Sequence, residues 1–174
     1  MNDNIKDIYL AGGCFWGTEH YFKMIKGVVF TEVGYANSVV KSPSYEMVCT
    51  GKTMAAETVH VKYDKSLISL KQLLQMYFVS IDPTSLNKQG HDVGIQYRTG
   101  IYYVDKEDLA VINAEILEQQ KQHEEDIVVE VLPLENFYTA EEYHQDYLDK
   151  NPDGYCHLPF ELFEFAKGFK NNQY

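Results

Sequence analysis

Apolar and polar positions change their period several times along this chain, and each change marks a predicted element. A short apolar stretch, Ile8-Tyr9-Leu10-Ala11, predicts a first strand at about residues 6–11 that runs into two glycines. A helix follows from about 15 to 26, closed by Gly27, and then a second strand near 28–36, rich in β-branched and aromatic residues. Residues 37–53 are irregular and polar, with one helical turn near Tyr45. Glu57 to Tyr63 alternates and reads as a third strand. In the clearest element, Leu70, Leu73, Leu74, Tyr77, Phe78 and Ile81 fall on one continuous helical face, and Ser69 with Gln72 supplies a capping box. Ile95 to Val104 reads as a fourth strand.

The first hundred residues thus run β-α-β-β-α-β, the ferredoxin-like order. A third helix capped by Asp105 carries Leu109, Ile112, Ile116 and Leu117, and a fifth strand, Ile127 to Leu132, stops at Pro133. Thr139 and Glu142 cap a fourth helix bearing Tyr143 and Tyr147. Past Asn151-Pro152-Asp153-Gly154 the chain reads as a loose tail with a short helical piece. The expected fold is α/β (α+β), a ferredoxin-like core with a mixed sheet and an extra C-terminal strand and helices. It is expected to be one domain over residues 1–174, with a core at 1–150 and a mobile tail at 151–174.

Composition narrows the function. The 174 residues suffice for one sizeable core. A net charge of −11 leaves no basic stripe, which argues against nucleic-acid binding. The first seven residues are polar and charged, unlike a signal peptide, and no apolar run approaches the ~18 residues needed to span a membrane. Cysteines at 14, 49 and 156 form neither a disulfide framework nor a metal-ligand pattern, and the six histidines show no ligand spacing. A reducing, cytoplasmic setting, no metal and a monomer are expected.

Gly12-Gly13-Cys14-Phe15-Trp16-Gly17 carries the candidate chemistry. Glycines permit a tight turn, and the unpaired N–H groups of a helix start favour a thiolate, so Cys14 is expected to have a lowered pKa and to act as a nucleophile. Phe15 and Trp16 can hold an apolar group against the sulfur. The plain alternative is a small buried cysteine among core aromatics. Glu57 shares a strand face with Val59, Val61 and Tyr63, so its carboxyl is expected in apolar surroundings that raise its pKa and suit it to donate a proton. Its alternative is a strand-end side chain turned to water. Tyr45 and Tyr97 are candidate hydroxyl donors, Tyr97 on the face of the fourth strand that carries Ile95 and Ile101. Asp92 orients a tyrosine or water, or caps its turn. Cys156, in a polar segment, suits a second thiol that travels to the first. Cys49 reads as structural.

Assembled in order, these segments resemble the A-type peptide methionine sulfoxide reductases along essentially the whole chain. Beside those already quoted, the resemblance rests on Thr31-Glu32-Val33-Gly34-Tyr35, Ser44-Tyr45-Glu46-Met47-Val48-Cys49-Thr50-Gly51 and Ala56-Glu57. His91 to Thr99, Tyr143-His144-Gln145-Asp146-Tyr147-Leu148 and Gly154-Tyr155-Cys156 complete it. The resemblance implies reduction of the S-epimer of methionine sulfoxide, free or in proteins, without metal or organic cofactor. It implies Cys14 as nucleophile, Glu57 as the acid that protonates the sulfoxide oxygen, Tyr45 and Tyr97 as donors to that oxygen, and Asp92 as support. Phe15 and Trp16 would cup the S-methyl group. Cys156 would be the resolving thiol, forming a disulfide with Cys14 that thioredoxin or another dithiol reduces. Two positions depart from the family pattern: Asn37-Ser38 stands in place of a glycine pair, and Met54-Ala55 in place of Gly-His. Two other classes compete: a cysteine-dependent acyl transferase or hydrolase using a histidine such as His91, and a ferredoxin-like binding module with inert thiols.

Overall fold

The computed structural model describes residues 2–170. In chain order the elements are β1 (Ile5–Ala11), α1 (Phe15–Lys23), β2 (Val28–Ala36), α2 (Tyr45–Cys49), β3 (Ala56–Asp64), α3 (Leu70–Val79), β4 (Lys88–Gln89) and β5 (Asp92–Val93). They continue with β6 (Gly100–Tyr103), α4 (Asp108–Gln120), β7 (Glu130–Pro133), β8 (Phe137–Thr139), α5 (Tyr147–Lys150) and α6 (Phe160–Gly168).

Six strands form one sheet in the order β7-β6-β1-β3-β2-β8, and β4 with β5 makes a separate small hairpin. The middle four, β6-β1-β3-β2, are all antiparallel, which is the ferredoxin-like arrangement. β7 adds in parallel beside β6 and β8 antiparallel beside β2, so the sheet is mixed. Register follows the apolar alternation: Ile8 pairs with Val61 and Leu10 with Val59, and all four are fully buried. α1 and α3 cover this face with Tyr21, Phe22, Leu73, Leu74 and Tyr77. The capping box at Ser69 and Gln72 is formed. The buried Tyr77 hydroxyl donates to the Ala11 carbonyl at 2.6 Å and so anchors the end of β1, immediately before the glycine turn.

Four expectations need correction. The fifth strand begins at Glu130, later than expected, and Pro133 is its last residue, paired with Tyr103 at the sheet edge, instead of its stop. The fourth strand is shorter than its apolar run, because Ile95–Tyr97 is a 3₁₀ turn and the strand begins at Gly100. The turn is closed by the Tyr97 N–H donating to the Gly94 carbonyl at 3.0 Å, and Arg98 Nη1 donates to the Ile95 carbonyl at 3.0 Å. Tyr97 therefore lies on a turn beside the sheet, off the strand face. The expected fourth helix is also broken. Thr139 ends β8, residues 142–144 form one 3₁₀ turn, and Asp146 takes φ of +52° before the short α5. The cause is Gln145, whose amide pairs with the Val33 backbone on both sides, at 3.0 Å and 2.8 Å, like an extra strand residue. Lastly, the segment after Asn151 is docked, where a loose tail was expected. α6 buries Phe163 and Ala166, and Phe163 packs edge-on against His20 of α1. The last four residues of the expected tail lie outside the described residues.

Both departures from the family pattern fall on left-handed backbone, Asn37 at φ +54° and Met54 at φ +59°. Asn37 suits it: its Oδ1 accepts the Glu135 N–H at 2.8 Å and ties the end of β2 to the 133–136 loop. Met54 has a Cβ penalty there that glycine lacks. Met54→Gly is therefore expected to raise stability by about 0.5–1 kcal/mol in urea unfolding, the relieved strain exceeding the added chain entropy. An unchanged or lower midpoint counts against strain at this position.

Candidate active site

The glycine turn places Cys14 as the N-cap of α1, with its carbonyl accepting from the Thr18 hydroxyl at 3.2 Å. Its thiol is buried. The expected lowering of its pKa is not found: burial first, then the Glu57 carboxylate, push it well above the ordinary thiol value, against a bond from the Trp16 N–H. Cys14 rests as a thiol.

Glu57 sits on β3 directly opposite Tyr35 of β2 and is 2 % exposed. Its Oε1 accepts the Phe15 N–H at 3.2 Å, while its buried Oε2 has no partner. Burial raises its pKa to about 8; the Phe15 N–H bond works against this, and the Asp92 carboxylate adds to it. At neutral pH the group is a carboxylic acid with its donor end unsatisfied. The water-facing alternative is excluded by its burial.

The candidate oxygen donors face the same spot. Tyr45 and Tyr97 both feel Glu57, and Tyr45 feels Tyr97 as well; burial leads in pushing both hydroxyls far up, so both keep their protons. Tyr97 also feels Cys14 and Asp92. Asp92 accepts from the Tyr155 hydroxyl at 3.0 Å through Oδ1 and leaves Oδ2 buried and unpartnered. Trp16 is held flat against Tyr147, ring centroids 3.7 Å apart, with its Nε1–H donating to His144 Nδ1 at 2.9 Å. Phe15 is buried between Tyr35 and His144. Cys156 Sγ lies over the first turn of α1, 3.0 Å from where a Cβ on Gly17 would stand. All eight residues singled out from the sequence thus converge at the start of α1.

Cys49 is a correction. It is exposed at the end of α2 and hydrogen-bonds the Tyr45 hydroxyl, so it belongs to the rim of this site and not to packing. His91, which a hydrolase would use, is exposed, and the acid beside Cys14 is Glu57. Among the described residues no three His, Cys, Asp or Glu side chains group as a metal ion would require.

Several supporting residues were not anticipated. Glu141 accepts from the Tyr35 hydroxyl at 2.7 Å and from the Tyr45 N–H at 2.9 Å, joining the residue opposite Glu57 to the helix that carries Tyr45. His144, Tyr147 and Tyr155 order Trp16 and Asp92 as described. Their signal lay in the Tyr143–Leu148 and Gly154–Cys156 segments, which read as helix and tail and hid their contacts.

Comparisons with known proteins agree with this geometry. A family model described as peptide methionine sulfoxide reductase matches residues 6–173. The peptide methionine sulfoxide reductase MsrA of Clostridium perfringens is 59% identical over 157 residues, covering 90% of this chain and 100% of that protein. The crystal structure of Mxr1 from Saccharomyces cerevisiae in reduced form superposes with a TM-score of 0.84 at 41% identity, over 90% of this chain and 91% of that one. Mxr1 in complex with Trx2 superposes at 0.61 with 30% identity, over 84% and 87%. With a thiol, a protonated carboxyl and paired tyrosines at one helix start, and with likeness over nearly its whole length, this chain belongs to the peptide methionine sulfoxide reductase family.

Proposed function

We propose that the protein reduces the S-epimer of methionine sulfoxide, free or in oxidised proteins, with Cys14 as nucleophile and Glu57 as proton donor. The observation that carries this reading is the Glu57 carboxyl, protonated near neutral pH beside Cys14, with Oε2 unsatisfied. A sulfoxide sulfur is a poor electrophile until its oxygen takes a hydrogen bond or proton. Glu57, Tyr45 and Tyr97 supply these, and Phe15 and Trp16 hold the methyl group. As Glu57 protonates the oxygen, the Cys14 thiol gives up its proton and its sulfur bonds to the substrate sulfur. The protonated oxygen then passes from the substrate sulfur to the Cys14 sulfur as the bond between the two sulfurs breaks, so that methionine leaves as the thioether, Cys14 is left as a sulfenic acid and a proton returns to Glu57; the step needs no net proton.

Cys156 then attacks the sulfenic acid sulfur, forming the Cys14–Cys156 disulfide and releasing water. An external dithiol restores both thiols. Thioredoxin is the proposed reductant, supported by the Mxr1 complex with Trx2 and by a groove of about 530 Å³ at Cys156, whose apolar lining of Leu148, Leu158 and Phe163 is edged by His20, Asp149 and Lys167. No resident cofactor is needed for this cycle. Among the described residues no helix is long and apolar enough to cross a membrane. A monomer in the cytoplasm, where thiols stay reduced, fits a site whose groups all come from one chain.

An apolar seat on one side and oxygen donors on the other accept only one hand of the sulfoxide. Incubated with racemic methionine sulfoxide and dithiothreitol, the protein is expected to consume the S-epimer and leave the R-epimer. Equal loss of both rejects this placement of groups, and loss of neither favours the binding-module reading.

A further inference from the structure

The glycine turn has a feature that the reduction step does not use. His157, next to Cys156, inserts its imidazole against the turn. Its Nε2 lies 3.1 Å from the Gly12 carbonyl oxygen, which can only accept, so Nε2 carries the proton and donates. The slot exists because two residues lack a side chain. A Cβ on Gly13 would stand 2.9 Å from His157 Nε2, and one on Gly17 would stand 3.1 Å from His157 Nδ1. The same Gly17 position meets Cys156 Sγ at 3.0 Å, so the imidazole and the resolving thiol share one patch of α1. Gly13 also takes φ of +89°, which its place in the turn requires. Burial lowers the His157 pKa and keeps the ring neutral at the turn.

We propose that His157 is a positioning residue for the resolving step, a latch that seats the Cys156 segment on the Gly12–Gly17 turn so that Cys156 meets the Cys14 sulfenic acid quickly. The proposal rests on the reading of Cys156 as the resolving thiol. In that step the sulfur of Cys156 bonds to the sulfur of Cys14, the S–O bond of the sulfenic acid breaks, and the thiol proton leaves with the hydroxyl as water. His157 changes neither reactant. It sets their distance and orientation, which is where rates of such intramolecular steps are decided. The first step, made by Cys14 and Glu57, does not depend on the latch.

The test separates the two steps. Reduced wild-type protein, His157→Ala, His157→Gln, Gly17→Ala and Cys156→Ser each react with one equivalent of methionine S-sulfoxide. Methionine is followed by quenched flow, and the disulfide and dimedone-trapped sulfenic acid by mass spectrometry. His157→Ala is expected to form methionine at the wild-type rate but to close the disulfide about tenfold or more slowly, with Cys14 trapped by dimedone in the interval. Gly17→Ala, which fills the slot from the helix side, gives the same split. His157→Gln keeps a donor for the Gly12 carbonyl and recovers part of the rate. Disulfide closure at the wild-type rate in His157→Ala overturns the proposal. So does an equal slowing of methionine formation, which assigns His157 to general support of the turn. Cys156→Ser is expected to stall after one equivalent; if it cycles with thioredoxin like wild type, the resolving role itself is wrong, a failure distinct from that of the latch.

Discussion

Cys14→Ser abolishes sulfoxide reduction, while Cys156→Ser still forms one equivalent of methionine and then stops. The first loss follows because a neutral hydroxyl at the start of α1 cannot replace a thiol sulfur as nucleophile toward sulfur. The second follows because the reduction step needs only Cys14, whereas turnover needs a thiol to clear its sulfenic acid. In Cys156→Ser the sulfenic acid is expected to be trapped by dimedone and to fail to cycle with thioredoxin, with small dithiols rescuing it slowly. Cys49→Ser is expected to cycle normally: serine at this exposed position still accepts the Tyr45 hydroxyl. Thioredoxin-linked turnover that survives Cys156→Ser and is lost in Cys49→Ser transfers the resolving role to Cys49.

Glu57→Gln slows the reduction step by roughly 10²–10⁴-fold, because the amide keeps shape and hydrogen bonding but has no acidic proton. The same change stabilises the fold near neutral pH. With a folded pKa of about 8 against an ordinary value of 4.5, Glu57 favours the protonated form in the native state. Below pH 4.5 both folded and unfolded chains hold the proton, and the group costs nothing. As pH rises towards 8 the unfolded chain ionises while the native state retains its proton, so stability falls through that window. Glutamine removes the loss and is expected to add about 3 kcal/mol at pH 7 and almost nothing at pH 4. Urea unfolding at the two pH values checks the sign. In wild type the single-turnover rate is expected to decline above about pH 8 as the acid ionises, a limb absent in Glu57→Gln. A variant within about threefold of the wild-type rate takes Glu57 out of the mechanism.

Much of the fold was legible because its elements announce themselves locally. The face of α3 and its capping box, the alternation of β3, and the turn after β1 all follow from residues close in sequence, and together they imply the ferredoxin-like order. The failures share a cause. Ile95–Tyr97 has a strand composition but is held as a turn by Arg98, and the segment around His144 has a helical pattern but is held open by Gln145 reaching β2. In both, a side-chain bond to the backbone overrides local propensity.

The candidate site divides along the same line. The sequence by itself determined which groups are present: a lone cysteine after a glycine turn, an acid on an apolar strand face, paired tyrosines, and a second cysteine far downstream. Tertiary structure alone decided their charge states and their supports. Helix-start reasoning predicts a ready thiolate at Cys14, but its surroundings keep it a thiol, because desolvation by burial, and then the neighbouring Glu57, outweigh the bond from the Trp16 N–H. Likewise the glycines at 13 and 17 read as freedom for the turn, and only the folded chain places the His157 ring in the space they leave. Local sequence carries the backbone's preferences; the distance to a residue over a hundred positions away, and the water it excludes, exist only once the chain is packed.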